Sequence, residues 1–147
     1  MTSTSMIGTN VARSDAEAKV RGSALFGVDF TLPGTLHARV LRSRVPAGRI
    51  VGIDTSAAAG LAGVHDVITG ADGPDWRTGV ILADIPFLAR DYLAFEGEPL
   101  AVVVADSPEI AQRAIDLIHV ELDEQPPVAT PAEALAPGSR LVHPSWA

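Results

Sequence analysis

Apolar and polar residues alternate along much of this chain in stretches of about six, divided by breaks that carry Gly or Pro. Period two is the signature of strands with one covered face, because successive side chains point to opposite sides. Residues 36–41 follow it, with Leu36, Ala38 and Val40 on one side and His37, Arg39 and Leu41 on the other. They predict a strand with one buried face, broken by Pro46-Ala47-Gly48. Residues 49–54 predict a second strand, with Ile50 and Gly52 opposite Val51 and Ile53. Thr55 or Asp54 then caps a short Ala-rich helix over residues 56–61, closed by Gly60 and Gly63. Residues 64–68 predict a third strand, with Val64, Asp66 and Ile68 on one face. Residues 69–78 read as a Gly/Asp/Pro loop, and 80–89 as loop or irregular strand because Asp84 and Pro86 interrupt the apolar run. Residues 92–95 predict a short strand.

The strongest strand covers residues 100–105, where six apolar residues run without alternation. Such a run predicts the centre of a sheet with both faces covered. Ser107 caps the helix that follows, with Pro108 at its first position and Glu109 near the positive end of its dipole. Ile110, Ala114 and Ile118 recur at helical spacing as a core-facing stripe, and residues 119–122 return as a strand. Strand, helix and strand suggest a βαβ unit with a right-handed crossover, or equally a split connection to a non-adjacent strand. Near the start, Ser14 with Glu17 predicts a capped helical turn, residues 22–29 a short extended stretch and Leu32-Pro33-Gly34 a turn. The expected organisation is a loose arm over 1–12, one α/β (α+β) domain over 13–124 with a mixed sheet and a few short helices, and a Pro-rich extension over 125–147 with one helical turn at 131–135.

Composition narrows what such a domain does. With 147 residues the chain is long enough to bury a core without staples. There is no cysteine, which excludes a disulfide framework, a thiolate iron–sulfur or zinc site and a cysteine nucleophile. The polar N-terminus has no basic region followed by an apolar run, and no segment approaches ~18 consecutive apolar residues. A cytoplasmic protein is the expectation. The formal net charge of −7 repels phosphate backbones and argues against nucleic acid. Arg39, Arg42, Arg44 and Arg49 are a local exception that reads as a solvated edge or a contact to another protein.

Candidate chemistry is sparse. His37, His65, His119 and His143 show no metal-ligand spacing and read as structural or solvated. There is no nucleophile elbow, phosphate loop or dinucleotide fingerprint, and Gly60-Leu61-Ala62-Gly63 lies between helix and strand, the wrong order for a phosphate site. Asp66, Asp72, Asp75, Asp84 and Asp91 are scattered, and Glu121, Asp123 and Glu124 make an acidic strand end. Glu96 and Glu98 flank Gly97 in a turn; desolvated, they would suit acid/base work, and otherwise they are two solvated charges or one partner of an arginine. Trp76, in a Gly/Asp/Pro loop, is either an interface anchor or the pin of its own loop.

Several segments carry a family resemblance when taken in order. Residues 13–24, with Asp15, Lys19, Val20, Gly22 and Ala24, resemble "D-x-x-x-K-V-x-G-x-A-x-Y", with Phe26 where Tyr is usual. Residues 32–43, from Leu32-Pro33-Gly34 to Leu41-Arg42-Ser43, resemble "L-P-G-M-L-H-A-x-x-L-R-S", the most specific match. Residues 47–58 resemble "A-x-I-x-x-I-D-x-S-x-A", and residues 63–72 resemble "G-V-x-x-V-x-T-x-x-D". Residues 95–105 resemble "Y-x-G-Q-P-V-A-x-V-V-A", with Glu98 in place of the usual Gln, and residues 120–128 resemble "V-E-Y-E-x-L-P-x-V". Together they resemble the α/β hammerhead domain of the xanthine dehydrogenase/aldehyde oxidase large subunit, the molybdenum hydroxylases, over residues 13–144.

The resemblance implies a non-catalytic hammerhead subunit or segment of an enzyme that hydroxylates an aldehyde or N-heterocycle oxidatively. It implies molybdopterin, iron–sulfur clusters and FAD in partner polypeptides: a molybdopterin-binding polypeptide, an iron–sulfur subunit and a flavin subunit. The family's cofactor loop and catalytic glutamate have no counterpart here, so it implies no catalytic, cofactor-binding or metal-binding residue in this chain. The short 74–88 segment departs from the pattern, which bears on substrate-channel contacts. The alternatives are a stand-alone binding or regulatory module using the Trp76 loop and the arginines, and an independent enzyme using Glu96 or Glu98.

Overall fold

In the computed structural model, residue 8 and residues 10–142 are described, and they divide into two compact units, Met1–Thr35 and Leu36–Ala147. His143 lies outside the described residues. The first unit holds helix α1 (Ala16–Val20) and a 3-10 turn (Gly27–Asp29). Ser14 was the expected cap, but Asp15 occupies that position and makes no side-chain cap bond. Its carboxylate is drawn instead to Lys19 Nζ, 2.6 Å away one helical turn on, and to Arg13. The extended stretch expected over 22–29 is likewise corrected: Gly22 takes φ +69°, and the Asp29 carboxylate accepts the Phe26 N–H at 2.8 Å, which curls the backbone into a turn. The Leu32-Pro33-Gly34 turn forms as expected, with Gly34 at φ +80° and the Thr35 N–H donating to the Leu32 carbonyl at 3.1 Å.

The second unit contains, in chain order, β1 (His37–Arg42), β2 (Gly48–Asp54), α2 (Ser56–Ala59), β3 (Val64–Thr69), β4 (Arg77–Thr78), β5 (Ile85–Pro86), β6 (Tyr92–Leu93), β7 (Pro99–Ala105), α3 (Pro108–Ile115), β8 (His119–Glu124) and α4 (Pro131–Leu135). Among the described residues these strands form two three-stranded sheets, ordered β1-β7-β3 and β6-β2-β8, and a β4-β5 ribbon, with every pair antiparallel. The α/β class with a few short helices stands. The βαβ reading does not: α3 carries the chain from β7 in one sheet to β8 in the other, so no parallel crossover forms.

The apolar run of β7 takes the central position expected of it. Val103 and Ala105 meet Ala111 and Ala114 of α3 and Ala58 of α2, all fully buried. Alanines on the helices let backbone and sheet approach closely, so this core is thin and densely packed. Ser107 caps α3 as expected, its hydroxyl accepting the Ile110 N–H at 3.3 Å. Helices cover only this face. Val102 and Val104, on the other, are half-buried, so the expectation of two covered faces holds for one.

A second core of Ala89, Leu93 and Leu100 joins the sheets, with Leu41, Val45, Ile50, Ile53, Val120 and Leu122 packed around it. It reveals two errors of pure alternation. The β2–β8 register shifts between Ile50 and Gly52, which brings Ile50 and Ile53 to the same core and leaves Val51 exposed. The β3–β7 register shifts between Val64 and Asp66, which turns Val64 and Val67 inward in place of Val64, Asp66 and Ile68. Each is a bulge, where one extra residue flips the pattern downstream. In β1 the half-buried side is His37 and Leu41; Leu36 and Val40 are exposed, because α3 packs on the other face.

Candidate partner interface

His65 Nε2 sits 2.7 Å from Asp106 Oδ1, a pair 41 residues apart that no local pattern reveals. Both side chains are about half exposed. No cluster of three His, Asp or Glu able to share a metal ion occurs among the described residues. His37 is half-buried on β1 and His119 is exposed on β8. Gly60 and Gly63 lie between α2 and β3, and Gly63 takes φ +87° under the Ile110 side chain. Of the scattered carboxylates, Asp75 pairs with Arg77 at 3.0 Å and Asp123 stands 3.7 Å from Arg49.

Four of the five perturbed carboxylates are explained by a turn or helix start, and the fifth, Asp15, by ion pairs. Bonds from Ser56 hold Asp54 below the usual carboxylate range, and Thr69 does the same to Asp72. The Ser107 hydroxyl lowers Glu109 at the head of α3, and the Ala129 and Thr130 N–H groups lower Glu133 in the capping box of α4. Asp15 is lowered by Lys19 and then Arg13. Each of these shifts arises chiefly from groups close to the carboxylate in sequence.

Glu96 is exposed, as a turn charge should be, but Glu98 is only 3% exposed and so is not the solvated charge expected of it. Its carboxylate accepts the Ala94 N–H at 2.6 Å. The turn itself is clamped to the end of β1. Ser43 N–H donates to the Glu98 carbonyl and Gly97 N–H to the Ser43 carbonyl, both at 2.9 Å, while Arg42 Nη1 donates to the Gly97 carbonyl at 2.9 Å. Glu98 therefore ties the strand β6 to the start of β7. It also lines a cleft of about 790 Å³ with Asp84, Arg90, Tyr92 and Arg140, whose guanidinium lies 4.3 Å from the Tyr92 ring centroid. The Glu96–Glu98 acid/base pair is not assembled: one member is in solvent and the other is held by backbone.

The four arginines lie on different parts of the chain, Arg44 being exposed in the segment between β1 and β2. Arg39 and Arg42 are on β1, while Arg49 is on β2 in the other sheet, facing Asp123. What stands out is apolar. The β4–β5 ribbon pairs Arg77 with Pro86 and Thr78 with Ile85, and its tip, Val80, Ile81 and Leu82, projects into solvent. Ile81 is 93% exposed, and Trp76 and Phe87 at the base are 65% and 63% exposed. At that base Trp76, Phe87 and Leu88 line a groove of about 540 Å³ with Ile68 and Val102 of the open sheet face. Trp76 thus borders a groove without being covered, and of the two readings open from sequence the anchor is the one its exposure favours. Sequence reasoning named Trp76 but passed over Val80–Leu82, because an apolar run beside Asp84 and Pro86 also fits an ordinary irregular strand. No helix among the described residues is long and apolar enough to cross a membrane.

Comparison with known proteins adds a context. Residues 21–126 match the family described as "Aldehyde oxidase and xanthine dehydrogenase, a/b hammerhead domain". The chain is 36% identical over 132 residues to a probable xanthine dehydrogenase subunit from Bacillus subtilis (strain 168), a match covering 89% of this chain and 18% of that protein. It is 37% identical over 139 residues to the nicotinate dehydrogenase large molybdopterin subunit of Eubacterium barkeri, covering 94% of this chain and 33% of the relative. The solved aldehyde oxidoreductase from Desulfovibrio gigas superposes with a TM-score of 0.80 at 34% identity, over 90% of this chain and 16% of that one. The chain thus spans between 16% and 33% of the length of these proteins.

Proposed function

The chain belongs to the a/b hammerhead family of the aldehyde oxidases and xanthine dehydrogenases, and from that premise we propose that it is a non-catalytic hammerhead segment of a molybdenum hydroxylase. The full complex would hydroxylate an aldehyde or an N-heterocycle oxidatively, in the cytoplasm. The observation that carries this reading is the pair of coverages: nearly all of this chain matches, against at most a third of each relative. The donor chemistry agrees. A chain without cysteine has no thiolate for an iron–sulfur cluster, and its carboxylates with lowered pKa are spent on caps and turns. Molybdopterin, iron–sulfur clusters and FAD are therefore assigned to partner polypeptides, and no catalytic step is assigned to this chain.

The test is native mass spectrometry of the tagged chain captured from its source cells. The expected result is co-purification with a larger polypeptide that binds molybdopterin and with iron–sulfur and flavin subunits. A monomeric chain with no affinity for a molybdopterin-binding polypeptide overturns the proposal.

A further inference from the structure

We infer that the β4–β5 ribbon is the docking element of this chain, and that its tip Val80-Ile81-Leu82, with Trp76 and Phe87 behind it, packs against the molybdopterin-binding polypeptide of the complex. This rests on the function proposed above and adds to it the surface through which the segment is held.

Val80 and Ile81 are essentially fully exposed, and Leu82, Ile85, Trp76 and Phe87 are about half exposed or more. At roughly 60–120 Å² for each aliphatic side chain and 150–250 Å² for each aromatic, the apolar surface left in water is on the order of 600 Å². That is the upper end of what a free soluble surface carries, and close to the ~800 Å² that one side of a standard protein interface buries.

Drying this surface costs little. No charged residue falls between Thr78 and Ala83. The nearest guanidinium, Arg77, already pairs with Asp75 at 3.0 Å, and the Phe87 N–H donates to the Trp76 carbonyl at 3.2 Å. The tip residues themselves thus carry no charge into an interface, and the carboxylate nearest them is Asp84, which lies against the turn at Gly79. At the tip a Cβ on Gly79 would overlap the Leu82 carbonyl oxygen, so only glycine permits this turn.

Relatives extend far beyond the stretch they share with this chain, which covers 18% of the Bacillus protein and 16% of the Desulfovibrio one. The polypeptide corresponding to that remainder is the surface a hammerhead segment must meet. A second copy of the chain is the competing occupant, because tip and groove can exchange reciprocally about a two-fold axis, and the experiment below separates the two. An anionic membrane surface fits less well, since the net charge of −7 is repelled by it.

The experiment compares the tagged chain with a triple variant, Val80→Ser, Ile81→Ser and Leu82→Ser, each captured from source cells, with bound proteins identified by peptide mass. Support requires that the wild type retain a polypeptide homologous to the unmatched part of the relatives, and that the variant retain at least about tenfold less of it. Leu135→Ser, an exposed apolar position on α4, should leave retention unchanged. Circular dichroism checks the fold, and Ile81→Asp alone serves if the triple variant does not fold. Equal retention by wild type and tip variant overturns the inference and leaves the proposed function standing. No such polypeptide with the wild type removes both. A wild-type dimer that the tip variant abolishes, or wild-type flotation with phosphatidylglycerol vesicles, assigns the ribbon to another occupant and overturns the inference.

Discussion

β7 and the tip of the β4–β5 ribbon are both aliphatic, yet they meet opposite fates. In β7 the residues Leu100, Ala101, Val103 and Ala105 are buried, because α3 and α2 bring alanines down onto one face and the second sheet closes over Leu100. In the ribbon, Val80, Ile81 and Leu82 meet no helix and stay in water. Hydrophobicity alone therefore does not separate residues that fold this domain from residues that join it to something else. The separating feature is whether the chain's own elements supply a cover.

Matched truncations give the largest test of that contrast. Leu100→Ala removes a side chain 2% exposed in the core between the sheets and should lower unfolding stability by about 2–5 kcal/mol. Ile81→Ala removes one 93% exposed and should change it by no more than about 0.5 kcal/mol. Urea unfolding of the two variants is the measurement. A loss of about 2 kcal/mol or more at Ile81 would show that the tip supports the domain itself, and the contrast would collapse.

A smaller effect is expected where the two regions join. Glu98 is a buried carboxylate just before β7, and its bond to the Ala94 N–H secures the loop that leads from the ribbon side of the molecule into the core strand. Glu98→Ala leaves that N–H without its acceptor and should cost about 1.5–3 kcal/mol. Glu98→Gln keeps an acceptor oxygen of the same reach and should restore most of it. If Gln proves as damaging as Ala in thermal unfolding, the charge of Glu98 matters beyond this bond, and the cleft beside it becomes the place to look.

Much of the fold was legible because it follows local rules. The Ser107-Pro108-Glu109 start of α3, the Gly34 turn and the central place of β7 all rest on residues that dictate backbone geometry or burial within a few positions. The ordered motifs likewise carried the family. The errors came from long-range choices. Bulges at Val51 and His65 flip the inward face of β2 and β3, and a bulge is settled by the partner strand's register, which the strand's own alternation does not contain. Glu98 looked like a turn charge because nothing in Glu96-Gly97-Glu98 announces that β6 will place an N–H against it. The ribbon was the least legible: its exposure is a statement about what fails to cover it, and sequence pattern assumes that apolar residues find a cover.

The mildest test uses pH and returns to the same two regions. Each has one carboxylate held below its ordinary range: Glu109 at the head of α3 by the Ser107 hydroxyl, and Asp72 at the base of the ribbon by the Thr69 hydroxyl and N–H. A carboxylate whose folded pKa is depressed contributes stability that is present above its unfolded value, near pH ~4, and lost as pH falls through the folded value. Both contributions should therefore fade only on acidification below about pH 4. Carboxyl carbon resonances followed by NMR should titrate low for both residues. Ser107→Ala should raise the midpoint of Glu109 and leave Asp72 alone, while Thr69→Val should raise Asp72 and leave Glu109 alone. If either substitution moved both midpoints, the ribbon and the α3 core would be one electrostatic unit, and the independence on which a separately docking ribbon depends would be lost.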